Sequence, residues 1–205
     1  MVGPKEKRER ALGVRLGLKG ERSMSPKSAT VRKPYRPGVH GPNSRPRALS
    51  EFGLQLREKS KFKLSYGVDD KNLRRLFERA QVAKGSTGAK MIELLERRLD
   101  NVIFQLGFAP SRLAARQIVV HGHIDVNKKK VKSPGYEVRK GDTISVRAGS
   151  LAKAGLNKRK EAMTTHDAPS WLQVDAEKMT GQVLALPTDV NPPFEINLLV
   201  ESFSK

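Results

Sequence analysis

Cysteine is absent from this 205-residue chain, which removes disulfides, thiolate metal sites and thiol nucleophiles from consideration. Aromatic residues are scarce, at 5% with one Trp and three Tyr, so few flat platforms exist on which exposed bases could stack. No apolar run approaches the roughly 18 residues that a spanning helix needs. The N-terminus also lacks the apolar core of an export signal. No Ser/His/Asp set, phosphate-cradling glycine loop or metal-binding helix pattern occurs. Acidic residues are few as well: 21, against 40 Lys and Arg, for a net charge of +19. Such an excess argues for a polyanionic partner, and without apolar segments that partner is nucleic acid rather than membrane. Hydrophobic residues make up 37% of the chain, enough for a core of modest size.

The charge is segregated. Residues 1–47 hold 13 Lys/Arg and 3 Glu, a net +10, and residues 128–160 hold 11 Lys/Arg and 2 acids, a net +9. Residues 166–205 hold 2 Lys and 6 acids, a net −4. Two basic zones and an acidic end indicate two polyanion-facing regions and a tail that faces something else. Breakers crowd residues 1–47, from Gly3-Pro4 through Pro37-Gly38 to Gly41-Pro42 and Pro46. They predict an irregular basic arm with no long helix or strand.

From Arg45 to Lys63 a second basic patch includes Leu49, Phe52 and Leu56 at helical spacing. Asp69 or Asp70 caps a helix carrying Leu73, Leu76, Phe77 and Ala80, which Gly85 ends. A long helix then begins near Met91. Its apolar stripe is Ile92, Leu95, Leu99, Val102, Ile103 and Leu106, and Gly107 stops it. Ser111 caps a further helix that Gly122 terminates, with Arg112 and Arg116 four apart on one face. From Ile124 the period becomes two: Ile124/Val126, Tyr136/Val138 and Ile144/Val146 alternate with polar residues. Asn127-Lys128, Pro134-Gly135 and Lys140-Gly141-Asp142 supply turns, giving a small curved sheet with Lys128, Lys129, Lys130 and Lys132 at its turns. Residues 150–165 read as helix or linker. Val183–Pro187 and Leu198-Leu199-Val200 read as short extended pieces.

The run from Leu99 to Val146 resembles the small RNA-binding domain named after ribosomal protein S4. The likeness extends to Leu18-Lys19-Gly20-Glu21-Arg22, Pro37-Gly38-Val39-His40-Gly41, Leu56-Arg57-Glu58-Lys59, Tyr66-Gly67 and Glu201-Ser202-Phe203-Ser204-Lys205. It thus covers nearly the whole chain, and points to the bacterial type of the small-subunit ribosomal protein S4 family. The implied architecture is α+β: a basic arm (1–47), a helical domain (48–96 completed by 161–205), and an inserted S4-type domain (97–160) of two helices plus a small curved antiparallel sheet. The implied role is structural and not enzymatic. It is that of a primary binder of small-subunit (16S) ribosomal RNA that holds a junction in the 5′ domain, nucleates assembly of the subunit body and influences accuracy through protein S5. The implied setting is the bacterial cytoplasm, beside proteins S5 and S3 and the messenger RNA's path into the subunit. The implied chain is no stand-alone homo-oligomer, and some members repress their own messenger.

Many members carry a zinc knot of four cysteines in the arm. Aligned on Lys19–Arg22, those positions hold Glu6, Glu9, Ser23 and Ser28 here. Serine is a poor zinc ligand, so no metal or other cofactor is expected. Candidate RNA contacts in the arm are Arg15, Lys19, Arg22, Arg32, Lys33, Tyr35, His40, Arg45 and Arg47. Arg57, Lys59, Lys61 and Lys63 follow in the second patch. Arg112 and Arg116 would grip phosphates from a helix face, Lys128, Lys129 and Lys130 would hold an adjacent strand, and His121 and His123 offer donors to phosphate or 2′-hydroxyl. Arg98-Leu99-Asp100 resembles the catalytic triplet of pseudouridine synthases that carry the same small domain. The following residues do not match that family, and an amphipathic helix explains Asp100 more simply. Only 45 residues follow Lys160, too few for an ordinary catalytic domain. A third reading, a stress protein rescuing stalled large subunits, is normally much shorter and lacks the matching arm and tail.

Overall fold

The computed structural model describes residues 4–43, 48–151, 159–160, 163, 166–188, 190, 192 and 194–204. The chain forms two compact units, Met1–Met91 with Asn191–Lys205, and Ile92–Val190. The expected arm is therefore part of the first unit.

Three short helices build that arm: α1 (Lys5–Leu12), α2 (Glu21–Met24) and α3 (Ala29–Arg32). Breakers keep each short, and what joins them is polar. Glu9 is 1% exposed, and its Oε1 accepts the backbone N–H of Leu16 (3.0 Å) and Leu18 (3.1 Å). The loop after α1 thus has its donors satisfied by one carboxylate, a charge-assisted arrangement stronger than neutral hydrogen bonds. Ser23 Oγ accepts from Lys19 N at 3.1 Å, and Ser28 Oγ lies 2.8 Å from Thr30 Oγ1. Glu9, Ser23 and Ser28 are thus polar pins within the arm. Gly41 closes the turn where no side chain fits, since a Cβ there would lie 1.8 Å from the Arg36 carbonyl oxygen.

The remainder of the first unit is α4 (Glu51–Tyr66), α5 (Asp70–Val82), the start of α6 (Thr87–Glu96) and a C-terminal helix labelled α10 (Ile196–Ser204). Ser50 caps α4 through Gly53 N, and Asp69 caps α5 through Asn72 N. Leu73, Leu76, Phe77 and Ala80 are buried as expected. Leu198-Leu199-Val200 is helical rather than extended; the apolar triplet alone does not distinguish the two. Tertiary packing decides it. Phe62 meets Phe194 edge to face at 5.1 Å, and Phe77 stacks on Phe203 at 5.2 Å.

In the second unit the long helix expected from Met91 to Leu106 is broken. α6 ends at Glu96 and α7 spans Leu99–Gln105. Arg98 is extended, with φ −67° and ψ 135°, because this segment pairs with the chain around Glu137. Leu99 N and Asp100 N donate to the carbonyls of Tyr136 (2.8 Å) and Pro134 (3.1 Å), and Val138 N donates to Arg97 O (2.9 Å). Gly107 (φ 79°) then stops α7 as expected. α8 (Arg112–Val120) is capped by Ser111, and α9 (Ala148–Leu151) follows the third strand.

The sheet is antiparallel and five-stranded, in the order β2-β1-β3-β5-β4. Its strands are β1 (Ile124–Val126), β2 (Lys129–Lys130), β3 (Thr143–Val146), β4 (Leu172–Asp175) and β5 (Thr180–Val183). Two of these lie beyond the expected 97–160 boundary. β5 pairs with β3, Ile144 opposite Gly181, because β3 would otherwise expose an unpaired edge. Trp171, Leu172, Met179 and Val183 complete the core begun by Leu99, Ile103 and Ile144. The tail is thus divided: Leu172–Val183 belongs to the sheet unit, and only the end returns to the helical unit. Most of 150–165 lies outside the described residues.

Glu9→Ala should free the amides of Leu16 and Leu18 to exchange with solvent, each orphaned donor costing about 1–3 kcal/mol, with amide protection in the sheet unit unchanged. Asp70, at the start of α5, is held below the usual carboxylate range by its hydrogen bond and charge pairing with Lys63, then by Lys59. A depressed carboxyl binds its proton less readily in the folded chain than in the unfolded one. The stability advantage of the chain over Asp70→Asn should therefore be full above about pH 4 and vanish as pH falls below it, measured by paired urea titrations.

Candidate nucleic-acid interface

Cations are divided by what they touch. On α4, Arg57 donates to Leu12 O at 2.6 Å and so ties the arm to the helix. Lys61 pairs with the buried Glu58, Lys63 with Asp70, and Lys59 lies 3.7 Å from Asp70 and 4.2 Å from the Phe203 ring centre. These side chains, expected to face RNA, are engaged within the helical unit. The apolar stripe on the same helix inverts expectation too. Phe52 is 69% and Leu56 52% exposed, while Gln55, Glu58, Phe62 and Ser65 form the buried face. The reason is again tertiary: Gln55 donates to Glu201 at 3.0 Å, and Glu58 accepts from Glu195 N at 3.4 Å.

The pair expected on α8 is also partly committed. Arg112 Nε donates to Asn101 Oδ1 at 2.6 Å, with its guanidinium 4.8 Å from the Phe104 ring centre. Asn101 in turn donates to the buried Glu96 at 2.6 Å. Arg116 is nearly half exposed, yet reaches within 3.7 Å of Asp100 Oδ2. Asp100 is 2% exposed; Arg98 grips both its oxygens, at 3.1 and 2.7 Å, and it accepts from Asn101 N at 3.0 Å. Burial pushes its carboxyl above the usual range, against the pull of Arg98 and Arg116. This carboxylate is enclosed and spent on its neighbours, with no access to a substrate base. The structural roles of Arg98, Asn101 and Glu96 are not evident from the sequence. The only signal is a cluster of polar residues within a helical apolar stripe.

The hairpin presents an open cationic surface. Lys128, Lys129 and Lys130 are all exposed, on the hairpin of β1 and β2. Asn127 and Lys128 both have positive φ, 50° and 64°, the geometry of a tight hairpin turn whose twist matches the strands. Beside it, a Cβ on Gly122 would lie 2.4 Å from Lys130 Cε, so the His121-Gly122-His123 turn and the lysine stems share one place. The histidine rings stack at 6.1 Å, and His123 Nδ1 lies 2.9 Å from Ser150 Oγ. Exposed Lys132 and Arg147 extend the same surface. In the arm, Arg15, Arg32, Lys33, Tyr35 and His40 are exposed. Lys19 and Arg22 are exposed too, but each is drawn to Glu6, at 3.3 and 3.5 Å. Arg45 and Arg47 lie outside the described residues. Among the described residues no cluster of three or more His, Cys, Asp or Glu is placed to hold a metal, and no helix is long and apolar enough to cross a membrane.

A small sheet with a lysine-bearing hairpin, backed by a pair of helices and joined to a basic helical unit, defines a class of nucleic-acid-binding structural protein. Residues 97–144 match the model of the S4 domain, and residues 1–96 that of the ribosomal protein S4/S9 N-terminal domain. Relatives named small ribosomal subunit protein uS4 align along nearly their entire length. That of Gloeobacter violaceus is 47% identical over 206 residues, covering 100% of this chain and 98% of the relative. That of Acetivibrio thermocellus is 46% identical over 195 residues, 94% and 93% of the two chains. That of Roseiflexus castenholzii is 43% identical over 208 residues, 100% and 98%. The chain belongs to the ribosomal protein S4 family, whose members are structural proteins of the small ribosomal subunit and not enzymes.

Asp100→Ala would leave Arg98 buried without its carboxylate. Removing one partner of a buried pair costs about 3–5 kcal/mol. A loss of that order in urea unfolding of the sheet unit is expected.

Proposed function

We propose that the chain is a primary binder of small-subunit ribosomal RNA, recognising the folded 5′ domain by shape and phosphate contacts. The observation that carries this reading is the division of cations: in a family of small-subunit proteins, the hairpin lysines Lys128–Lys130 stand exposed, with no carboxylate drawn to them among the described residues. Scarce aromatics favour phosphate and 2′-hydroxyl contacts over base stacking. The arm supplies Arg15, Arg32, Lys33 and His40 as a second set of contacts. Binding two regions of one RNA with one chain would fix a junction, and so nucleate assembly of the subunit body in the bacterial cytoplasm. The exposed Leu49 just before α4, with Phe52 and Leu56 on it, supports a protein neighbour there, and protein S5 is the one through which accuracy would be influenced. Protein S3 and the messenger's path would lie nearby. Repression of its own messenger would use the same surface.

The test is a titration of the purified chain with the 5′ domain of small-subunit ribosomal RNA and with an unrelated folded RNA of equal length, across salt concentrations. A preference that persists as salt rises supports the reading. Equal binding that vanishes with salt contradicts it. Replacing Lys128, Lys129 and Lys130 together by Gln should lower the slope of log affinity against log salt by about 0.7–0.9 for each phosphate no longer neutralised, with no change in stability. Replacing Arg112 and Arg116 by Ala should change the slope by no more than the value for about one phosphate while destabilising the sheet unit, since Arg112 is committed to Asn101 and Phe104.

A further inference from the structure

The two edges of the sheet are built differently. Its strand order leaves β2 at one edge and β4 at the other. An unpaired edge invites a further strand, and proteins blunt it with lysine, proline or shortness. β2 is blunted twice over: it is two residues long, and both are exposed lysines, Lys129 and Lys130. β4 reads Leu172-Gln173-Val174-Asp175, with neither lysine nor proline.

The register decides which backbone groups of β4 face outward. Leu184 N donates to Trp171 O at 2.9 Å. Opposed residues along an antiparallel ladder alternate between bonded and non-bonded pairs. Gln173 and Asp175 therefore direct their amides and carbonyls to Gln182 and Thr180, and Leu172 and Val174 direct theirs away from β5. The Leu172 amide turns back to Pro169 O at 2.9 Å. The Leu172 carbonyl and both backbone groups of Val174 are bonded to no described residue. The Val174 side chain packs on the core, which fixes the direction of those groups.

The charge beside this edge indicates its occupant. Residues 166–183 hold Asp167, Asp175 and Glu177 against Lys178, a net −2 in a chain of +19. Lys178 is itself drawn to Asp175 at 3.7 Å, and its amide donates to Asp175 Oδ1 at 3.0 Å. Asp167, just before β4, and Glu177, just after it, are exposed. A phosphate backbone is repelled by such a set. An extended peptide with cationic side chains meets both demands, since it brings amides and carbonyls to the edge and lysine or arginine to the acids. Strand addition of this kind draws its affinity from main-chain hydrogen bonds.

Beyond RNA binding, we propose that β4 takes up an extended basic segment of a protein partner as a sixth strand of the sheet. The segment pairs with Val174 through its backbone, and its cationic side chains meet Asp167 and Glu177.

The test uses the full chain and a ten-residue probe peptide in which lysine alternates with valine and threonine. Amide exchange followed by NMR first reads the edge itself: in the free chain the Val174 amide should exchange openly, while Gln173 and Asp175 are protected. Saturating peptide should slow exchange at Val174 about tenfold. The same peptide with alternate amides N-methylated should bind about tenfold more weakly, and one with glutamate in place of lysine should not bind. Asp167→Lys with Glu177→Lys should weaken binding of the lysine peptide about tenfold. Val174→Pro removes the outward amide and no donor to β5, and should weaken it comparably. The amides of Ile144 and Gly181 report whether each variant keeps the sheet; if Val174→Pro does not, the methylated peptide decides. Equal binding of the methylated and unmethylated peptides, unchanged exchange at Val174, or unchanged affinity in the folded variants would overturn the proposal. So would protection of Val174 that grows with concentration of the chain alone, which would assign the edge to a second copy. Protection of Val174 by the 5′-domain RNA without peptide would overturn it in favour of nucleic acid.

Discussion

A few carboxylates, Glu58 and Asp100 buried and Asp70 exposed, set the lysines and arginines they engage apart from those that face outward among the 40 of the chain. A charge buried without partners is costly, so each enclosed carboxylate gathers cations or backbone donors around it. Glu9 takes two amides of the arm, Glu58 takes Lys61, and Asp100 takes Arg98 and part of Arg116. Cations left out of these sets include Lys128, Lys129 and Lys130 on the hairpin and Arg15, Arg32 and Lys33 on the arm. The +19 charge alone does not separate the two groups.

The arm shows the constraint most plainly. A segment rich in Gly and Pro has little helix propensity and few apolar side chains. At its centre the Glu9 carboxylate collects two backbone N–H donors. Ser23 and Ser28 close further local hydrogen bonds. Polar contacts thus give the arm its form where apolar ones are few.

Much of the fold was legible because local signals agreed with tertiary context. Asp69 and Ser111 cap helices, Gly107 and Gly122 end them, and Asn127-Lys128 turns a hairpin. The failures share one cause. The apolar stripe through Leu99 continues unbroken past Arg97-Arg98, but the amides there are captured by Pro134 and Tyr136, residues more than thirty positions away. Leu198–Val200 is helical because Phe194 and Phe203 dock on Phe62 and Phe77. The two added strands pair with an edge that no local pattern reveals. At the site, residue type identified the cations but not their partners. Lys59, Lys61 and Lys63 look no different in sequence from Lys128, Lys129 and Lys130. What separates them is Asp70 and Glu58 facing the first group.

That separation is open to direct measurement. Acylation of lysine amines in the full chain, quantified by mass spectrometry with and without the 5′-domain RNA, reads every lysine at once. The account predicts that Lys128, Lys129 and Lys130 react readily in the free chain and become protected on the RNA, while Lys59, Lys61 and Lys63 react slowly in both states. Protection confined to Lys59, Lys61 and Lys63, with the hairpin lysines reactive throughout, would contradict it.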